Sequence, residues 1–120
     1  MKKLLLIEDE ANLRILYTEE LKKEGYDVVC AENGMEAIKI LEGTAVDLVI
    51  TDIRMPQMNG LEALSNILGL RKGVPVIIYT SYPQYKTDFM SWAADAYLIK
   101  SSDLSELKAK IKELLGERKK

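Results

Sequence analysis

Carboxylates, a hydroxyl and a lysine stand directly after short apolar stretches at several points of this sequence. In chain order these side chains are Glu8, Asp9, Asp52, Thr80 and Lys100. Carboxylate oxygens suit Mg²⁺, which keeps several waters and accepts one or two carboxylates. A lysine beside such a metal attracts a multiply charged anion, and a threonine hydroxyl donates to one of the anion's oxygens. Together these residue types predict a phosphoryl site, provided that the fold brings them to one place.

The absence of histidine narrows the chemistry further. It excludes Ser-His-Asp catalysis, histidine-ligated metals and a role as a histidine phosphocarrier. The single cysteine, Cys30, excludes an internal disulfide and fits a reducing, cytoplasmic setting. We interpret Cys30 as a small buried apolar residue, because it lies in a short apolar stretch.

Length and composition predict one soluble globular domain spanning residues 1–120. The net charge of −2 argues against nucleic-acid binding, which relies on a basic surface. No apolar run approaches the ~20 residues needed to span a membrane. The first apolar run is also too short for the core of a signal peptide. We therefore expect neither nucleic acid nor a membrane as a partner.

Apolar stretches alternate with helical patterns along the whole chain. The predicted strands are 4–7, 28–31, 46–51, 76–79 and 97–99, and the predicted helices are 11–24, 35–43, 61–70, 82–94 and 104–115. Asp103 and Glu106 have the spacing of a capping box at the start of the last helix. The alternation predicts an α/β fold, a doubly wound five-stranded parallel sheet of order 2-1-3-4-5 with five helices on its two faces.

In such a sheet, ligands bind outside the carboxyl ends of the strands, at the point where the strand order reverses. Strands one and three are neighbours there, so Glu8, Asp9 and Asp52 are expected to converge, with Thr80 and Lys100 beside them. Neighbouring carboxylates raise one another's pKa unless a cation compensates their charge. This arrangement again predicts a magnesium-assisted phosphoryl site.

The pattern resembles the receiver domain of bacterial two-component response regulators over essentially the whole chain. The matching residues include the acidic pair, Thr80, Lys100 and the motif Asp-x-x-Met-Pro-x-Met-x-Gly that begins at Asp52. The resemblance implies the flavodoxin-like receiver fold. It also implies that Asp52 receives a phosphoryl group from a sensor histidine kinase or a histidine phosphotransfer protein. The chain would then be a signalling phosphoacceptor rather than an enzyme, assisting its own phosphotransfer and dephosphorylation.

The resemblance also implies a metal site. Mg²⁺ would be held by Asp9, Asp52 and the backbone carbonyl of Arg54, with Glu8 acting through a bound water. A stand-alone regulator of this kind would be a monomer when unphosphorylated and would act on a downstream protein that the sequence does not identify.

Phosphoryl binding and switching fall to three further residues in this resemblance. Lys100 would pair with the phosphoryl oxygens and Thr80 would bond to one of them. Tyr97 matches the aromatic residue that changes rotamer when the threonine shifts, although a plain core aromatic is the alternative reading.

Two departures from the family pattern are visible. The family usually places proline after its lysine, whereas Ser101 follows Lys100 here, and a cis bond at a non-proline residue costs ~3 kcal/mol. Ala93-Ala94 stands where the family often has Gly-Ala.

The first predicted helix offers a candidate surface for a phosphodonor. Leu13, Leu16, Tyr17 and Leu21 are expected to form one core stripe, which places Ile15 nearly opposite and exposed to solvent. Relatives pack this helix against the bundle that carries the phosphohistidine, so Ile15 is a candidate docking residue. An isolated exposed apolar residue of no special function is the alternative.

Two other functions remain open for the chain as a whole. A magnesium-dependent phosphatase of the haloacid-dehalogenase type also forms an aspartyl phosphate, but it needs a second aspartate at the position of Arg54. An inactive receiver-like interaction module is the other alternative, and the intact set of polar strand-end residues argues against it.

Overall fold

Five parallel strands form the centre of the protein. The computed structural model describes residues 1–52, 73–81 and 94–116, and all statements below concern these ranges. The strands are β1 (Lys3–Ile7), β2 (Asp27–Ala31), β3 (Leu48–Thr51), β4 (Val76–Thr80) and β5 (Ala96–Ile99). Their order is β2-β1-β3-β4-β5, which confirms the predicted topology, while individual ends differ from the predicted ones by one or two residues.

Three helices lie within the described ranges: α1 (Ala11–Lys23), α2 (Gly34–Gly43) and α3 (Ser105–Leu114). None of them is long and apolar enough to cross a membrane. The helices predicted over 61–70 and 82–94 lie outside the described residues. The ends of α1 and α3 agree with the positions of Gly25 and Gly116, whose φ angles of +95° and +74° suit glycine.

The starts of α2 and α3 differ from simple readings of the sequence. Asn33 caps α2, because its side-chain oxygen accepts the N–H of Glu36 at 2.9 Å. The capping box predicted at Asp103 is wrong. The helix begins later, at Ser105, and the Asp103 carboxylate accepts the Ser105 N–H at 2.9 Å and the Ser105 hydroxyl at 2.6 Å.

Apolar side chains fill both faces of the sheet, as expected for strands buried on two sides. Because successive side chains on a strand point to opposite faces, Leu4 and Leu6 pack with α1 and α3, while Leu5 and Ile7 pack with α2. The resulting two-sided core holds the strand ends in a fixed register, which in turn fixes the residues that follow them.

Helix α1 buries a narrower stripe than predicted. Tyr17 and Leu21 are buried, but Leu16 is 45% exposed, so its expected place in the core is wrong. The rotation of 100° per residue puts Leu16 at the edge of the stripe, where it lines an open groove towards Lys108 of α3. Ile15 is 58% exposed, as predicted.

Candidate functional site

The carboxyl ends of β1 and β3 bring two acidic side chains side by side. Ile7 is paired with Thr51 across the two strands, so Glu8 and Asp52 leave the sheet at the same level. The backbone continues this ladder for one more step, since the Asp52 N–H donates to the Ile7 carbonyl at 3.4 Å. Both carboxylates are almost fully buried, with 3% exposure for Glu8 and 4% for Asp52.

Lys100 joins these two carboxylates. Its Nζ atom lies 2.8 Å from Glu8 Oε1 and 2.6 Å from Asp52 Oδ2, and it donates a hydrogen bond to each. Its backbone N–H donates to the Thr80 carbonyl at 2.8 Å, so the end of β5 is anchored to the end of β4. The side chain therefore reaches from the edge strand across the top of the sheet to the point where the strand order reverses.

The electrostatics of this group follow from burial and pairing. Burial raises the pKa of Glu8 above its ordinary value, and the hydrogen bond and charge of Lys100 act in the opposite direction. Burial disfavours the charged form of Lys100 as well, but its bonds to Asp52 and Glu8 outweigh that effect and raise its pKa. The lysine is thus firmly protonated and is a fixed positive charge at the site.

Thr80 and Tyr97 lie on the neighbouring strands. Thr80 is the last residue of β4, is fully buried and is paired with Ile99. Tyr97 is 6% exposed and packs in the core cluster on the α2 side of the sheet, together with Val49 and Ile78. The structure therefore places Thr80 in the row of strand-end residues, whereas the Tyr97 ring points into the core in the state described.

The residues present fit the chemistry of a divalent cation at this edge. Asp9 Oδ1 is buried and has no hydrogen-bond partner in the described ranges. Such an oxygen carries an uncompensated desolvation cost, which a bound cation would remove. Within the same ranges no three acidic, cysteine or histidine side chains are already arranged around a metal position. Lys100 instead pairs with Glu8 and Asp52.

Arg54, whose carbonyl is one of the predicted ligands, lies outside the described residues. The Lys100–Ser101 bond lies inside them and is trans, because no cis peptide bond occurs in the described part of the chain. No residue other than glycine has a positive φ there either, and Ala93 of the Ala93-Ala94 pair is outside the description.

Sequence reasoning missed a residue that supports the acidic loop. Arg14 on α1 donates from Nη1 to the Glu8 carbonyl at 2.7 Å and lies 3.9 Å from Glu32. The Glu10 N–H donates to Glu8 Oε2 at 3.1 Å and orients the carboxylate from the other side. The sequence did contain a signal for this role, because Arg14 lies one turn into the helix that follows the acidic pair Glu8-Asp9.

Comparison with known proteins connects this geometry to a protein family. The family described as the response regulator receiver domain matches residues 4–112. Regulatory protein AtoC of Escherichia coli is 33% identical over 109 residues, covering 89% of this chain and 24% of AtoC. The chain thus spans about a quarter of that relative's length. Sporulation initiation phosphotransferase F of Bacillus subtilis is 31% identical over 116 residues, with 95% of this chain and 94% of the relative covered.

Solved structures show the same likeness. The response regulator TrrA of Thermotoga maritima, crystallised in complex with Mg²⁺-BeF, is 46% identical and superposes with a TM-score of 0.89, covering 95% of this chain and 99% of TrrA. A chain from the complex of histidine kinase ThkA with TrrA is 47% identical with a TM-score of 0.88, and 96% of this chain and 99% of that chain are covered.

Proposed function

The chain belongs to the response regulator receiver domain family, and from that premise we propose that it is a phosphoacceptor of two-component signalling whose Asp52 takes the phosphoryl group. The observation that carries the assignment is the Asp52 carboxylate at the end of β3, 2.6 Å from the ammonium of Lys100. Residues 1–120 form a single receiver domain in this proposal, and the chain is a signalling protein that assists its own phosphotransfer and dephosphorylation.

The proposed step is a transfer between two protein side chains. An oxygen of Asp52 forms a bond to phosphorus while the donor's P–N bond breaks, and the donor imidazole keeps the electron pair of that bond. A carboxylate nucleophile needs no general base, so positioning and charge neutralisation provide most of the catalysis. Lys100 provides a fixed positive charge, and Thr80 provides a hydroxyl donor at the next strand end.

Mg²⁺ is the proposed cofactor, and when bound it neutralises charge on the transferring group. Asp9 and Asp52 would hold it directly, Glu8 through a water, and Arg54 through its backbone carbonyl. The Asp9 oxygen that lacks a hydrogen-bond partner among the described residues supports this set, as does the likeness to TrrA, whose crystal structure contains Mg²⁺-BeF.

The proposed phosphodonor is a sensor histidine kinase or a histidine phosphotransfer protein. TrrA was crystallised with the histidine kinase ThkA, which supports a kinase partner for this chain. The exposed apolar side chain of Ile15, with Leu16 beside it, is the proposed contact on α1. The output is proposed to be a downstream protein that binds the face around Tyr97. The absence of nucleic-acid binding stays a prediction, because PdtaR of Mycobacterium tuberculosis, which is 37% identical over 111 residues, is named a transcriptional regulatory protein.

The test is phosphorylation by acetyl phosphate with Mg²⁺, followed by mass spectrometry of the intact protein. Wild type is expected to gain the mass of one phosphoryl group, and Asp52→Asn is expected to gain none. Asp27→Asn is the matched control. Asp27 is the first residue of β2 and so lies at the amino end of its strand, away from Asp52, and its replacement is expected to leave labelling unchanged. Equal labelling of wild type and Asp52→Asn would contradict the assignment, and an unlabelled wild type would indicate an inactive interaction module.

A further inference from the structure

Tyr79, on β4, contacts the backbone immediately after Lys100. Tyr79 is 4% exposed, and its hydroxyl contacts Ser101, the residue that replaces the family's usual proline. The Ser101 N–H donates to Tyr79 Oη at 3.3 Å, and the Tyr79 O–H donates to the Ser101 carbonyl at 3.4 Å. One hydroxyl therefore meets both backbone groups of this residue.

The surroundings of Tyr79 keep this hydroxyl in place. The rings of Tyr79 and Tyr17 meet edge to face, with centroids 5.5 Å apart and planes at 64°. Tyr17 is itself buried on α1, so the tyrosine of β4 has little freedom to turn. Burial raises the pKa of Tyr79, so the phenol stays neutral near pH 7 and can donate one hydrogen bond and accept another.

The contact between Tyr79 and Ser101 lies just beyond the last backbone hydrogen bond between β4 and β5. The Lys100 N–H still joins the ladder through the Thr80 carbonyl, whereas Ser101 is exposed and lies past the end of β5. A proline at this position would have no N–H and would restrict the backbone through its ring. Serine has the N–H but lacks the restriction of the ring, so a hydrogen bond from another part of the chain can hold the backbone here.

We propose that Tyr79 is a positioning residue for Lys100: its hydroxyl holds the backbone of Ser101 and thereby fixes the main chain from which the lysine reaches Asp52. The inference rests on the proposed function, because it concerns the lysine of the same phosphoryl site. A lysine side chain has several rotatable bonds, and a small displacement of its origin moves the ammonium away from the transferring group. Misplacement by about 1 Å lowers the rate of an otherwise intact site substantially.

The first test removes only the hydroxyl, with Tyr79→Phe. Both hydrogen bonds are long, so we expect a loss typical of one neutral hydrogen bond, roughly threefold to tenfold, in the rate of phosphorylation by acetyl phosphate. The affinity for beryllium fluoride at saturating Mg²⁺, measured by calorimetry, is expected to fall by the same factor. Affinity for Mg²⁺ alone is expected not to weaken, because the lysine is not a metal ligand. Tyr26→Phe, which removes the hydroxyl of another buried tyrosine of the same core cluster, is the matched control and is expected to change neither quantity.

The second test asks whether the effect passes through Ser101. Ser101→Pro removes the N–H and restrains the main chain by its ring, so adding Tyr79→Phe in that background is expected to cost less than twofold. An equal loss in both backgrounds would overturn the proposal, because the hydroxyl would then act through packing or stability. Rates and affinities of Tyr79→Phe that equal those of wild type would overturn it too, while leaving Asp52 as the phosphoacceptor. A wild type that neither labels nor binds beryllium fluoride would overturn the proposed function and this inference together.

Discussion

Lys100 lies between two buried carboxylates, and the three charges depend on one another. Its ammonium is within 2.8 Å of Glu8 and 2.6 Å of Asp52, while the side chains of all three are largely removed from water. Taking one partner from a buried ion pair leaves a charge that water can no longer solvate, which costs more than the pair itself contributes. The lysine is therefore expected to support the folded state of the metal-free protein in addition to its proposed role with phosphate.

Lys100→Met is expected to lower the free energy of unfolding by about 3 kcal/mol at pH 7 in the absence of Mg²⁺. Because the folded state raises the pKa of Lys100, the stability that the charged lysine contributes is fully present at pH values below the ordinary pKa of lysine. It is lost only as pH rises through the pKa of Lys100 in the folded protein. Burial already raises the pKa of Glu8, and removing the lysine raises it further. The deficit of the variant should therefore shrink as pH falls and the Glu8 carboxyl becomes protonated. Urea unfolding at pH 7 and at pH 5 measures both effects.

The control for this prediction is another paired lysine. Lys110 lies 3.2 Å from Glu113 on the surface of α3, and its removal is expected to change stability by less than about 1 kcal/mol at either pH. A deficit for Lys100→Met as small as that of Lys110→Met, or one that grows on acidification, would contradict the proposed charge balance.

Helix α1 combines three tasks on three of its sides. Tyr17 and Leu21 pack against the sheet, and Arg14 bonds to the backbone of the acidic loop. The outer side presents Ile15 and Leu16 to solvent, with 58% and 45% exposure. A helix that both supports the acidic loop and exposes adjacent apolar side chains is well placed to contact the proposed phosphodonor.

Ile15→Ala is expected to slow phosphotransfer from the cognate histidine donor by tenfold or more at subsaturating concentrations. The reason is that a buried apolar anchor contributes ~1–3 kcal/mol to an interface. Labelling by acetyl phosphate is expected to stay at the wild-type rate, because a small donor needs only the pocket around Asp52. Both rates are measured by quenching the reaction with each donor at set times and quantifying the phosphorylated protein.

Met35→Ala is the matched control on another helix. Met35 is 46% exposed on α2 and should be neutral with both donors. If Ile15→Ala transfers normally from the histidine donor, Ile15 is ordinary surface. A parallel fall with both donors would mean that the residue supports the fold.

Across the whole molecule, the sheet connects the candidate site to the core on the α2 side. Thr80 is the last residue of β4. Tyr97 lies on the neighbouring strand β5, where it is paired with Ile78 of β4 and packs in the core cluster on the α2 side of the sheet. Any shift of the Thr80 end of β4 must be accommodated by neighbouring side chains, since a packed core has few voids. This arrangement supports Tyr97 as the proposed carrier of a switch, although its burial also suits a plain core aromatic.

Tyr97→Ala is expected to leave phosphorylation of Asp52 intact and to reduce the change in hydrogen exchange that beryllium fluoride with Mg²⁺ produces in residues 96–104. The physical reason is that, in the proposed switch, the ring transmits a displacement of Thr80, and alanine lacks that ring. The variant is also expected to lose about 3 kcal/mol or more of stability, as for other large-to-small changes in a core. Tyr26→Ala, which empties another buried site, controls for that loss. Identical exchange responses in wild type and Tyr97→Ala would show that the ring is core packing alone.

Much of the architecture was predictable from the sequence by itself. The short apolar stretches, Gly25 and Gly116 act through local rules of burial and backbone conformation, and they sufficed for the strand order and for the ends of α1 and α3. The row of polar strand-end residues was also predictable, because parallel strands end at the same edge. The roles assigned to those residues stay predictions until phosphorylation is measured.

Other features depended on the tertiary structure because they join distant parts of the chain. The position of the Lys100 ammonium is set by Glu8 and Asp52, which are 92 and 48 positions away, and no local pattern contains that distance. The exposure of Leu16 depends on where α3 lies, and the tether of Ser101 depends on a tyrosine 22 positions earlier on the neighbouring strand. Sequence patterns determine which side chains leave the sheet, whereas packing between elements decides which of them meet.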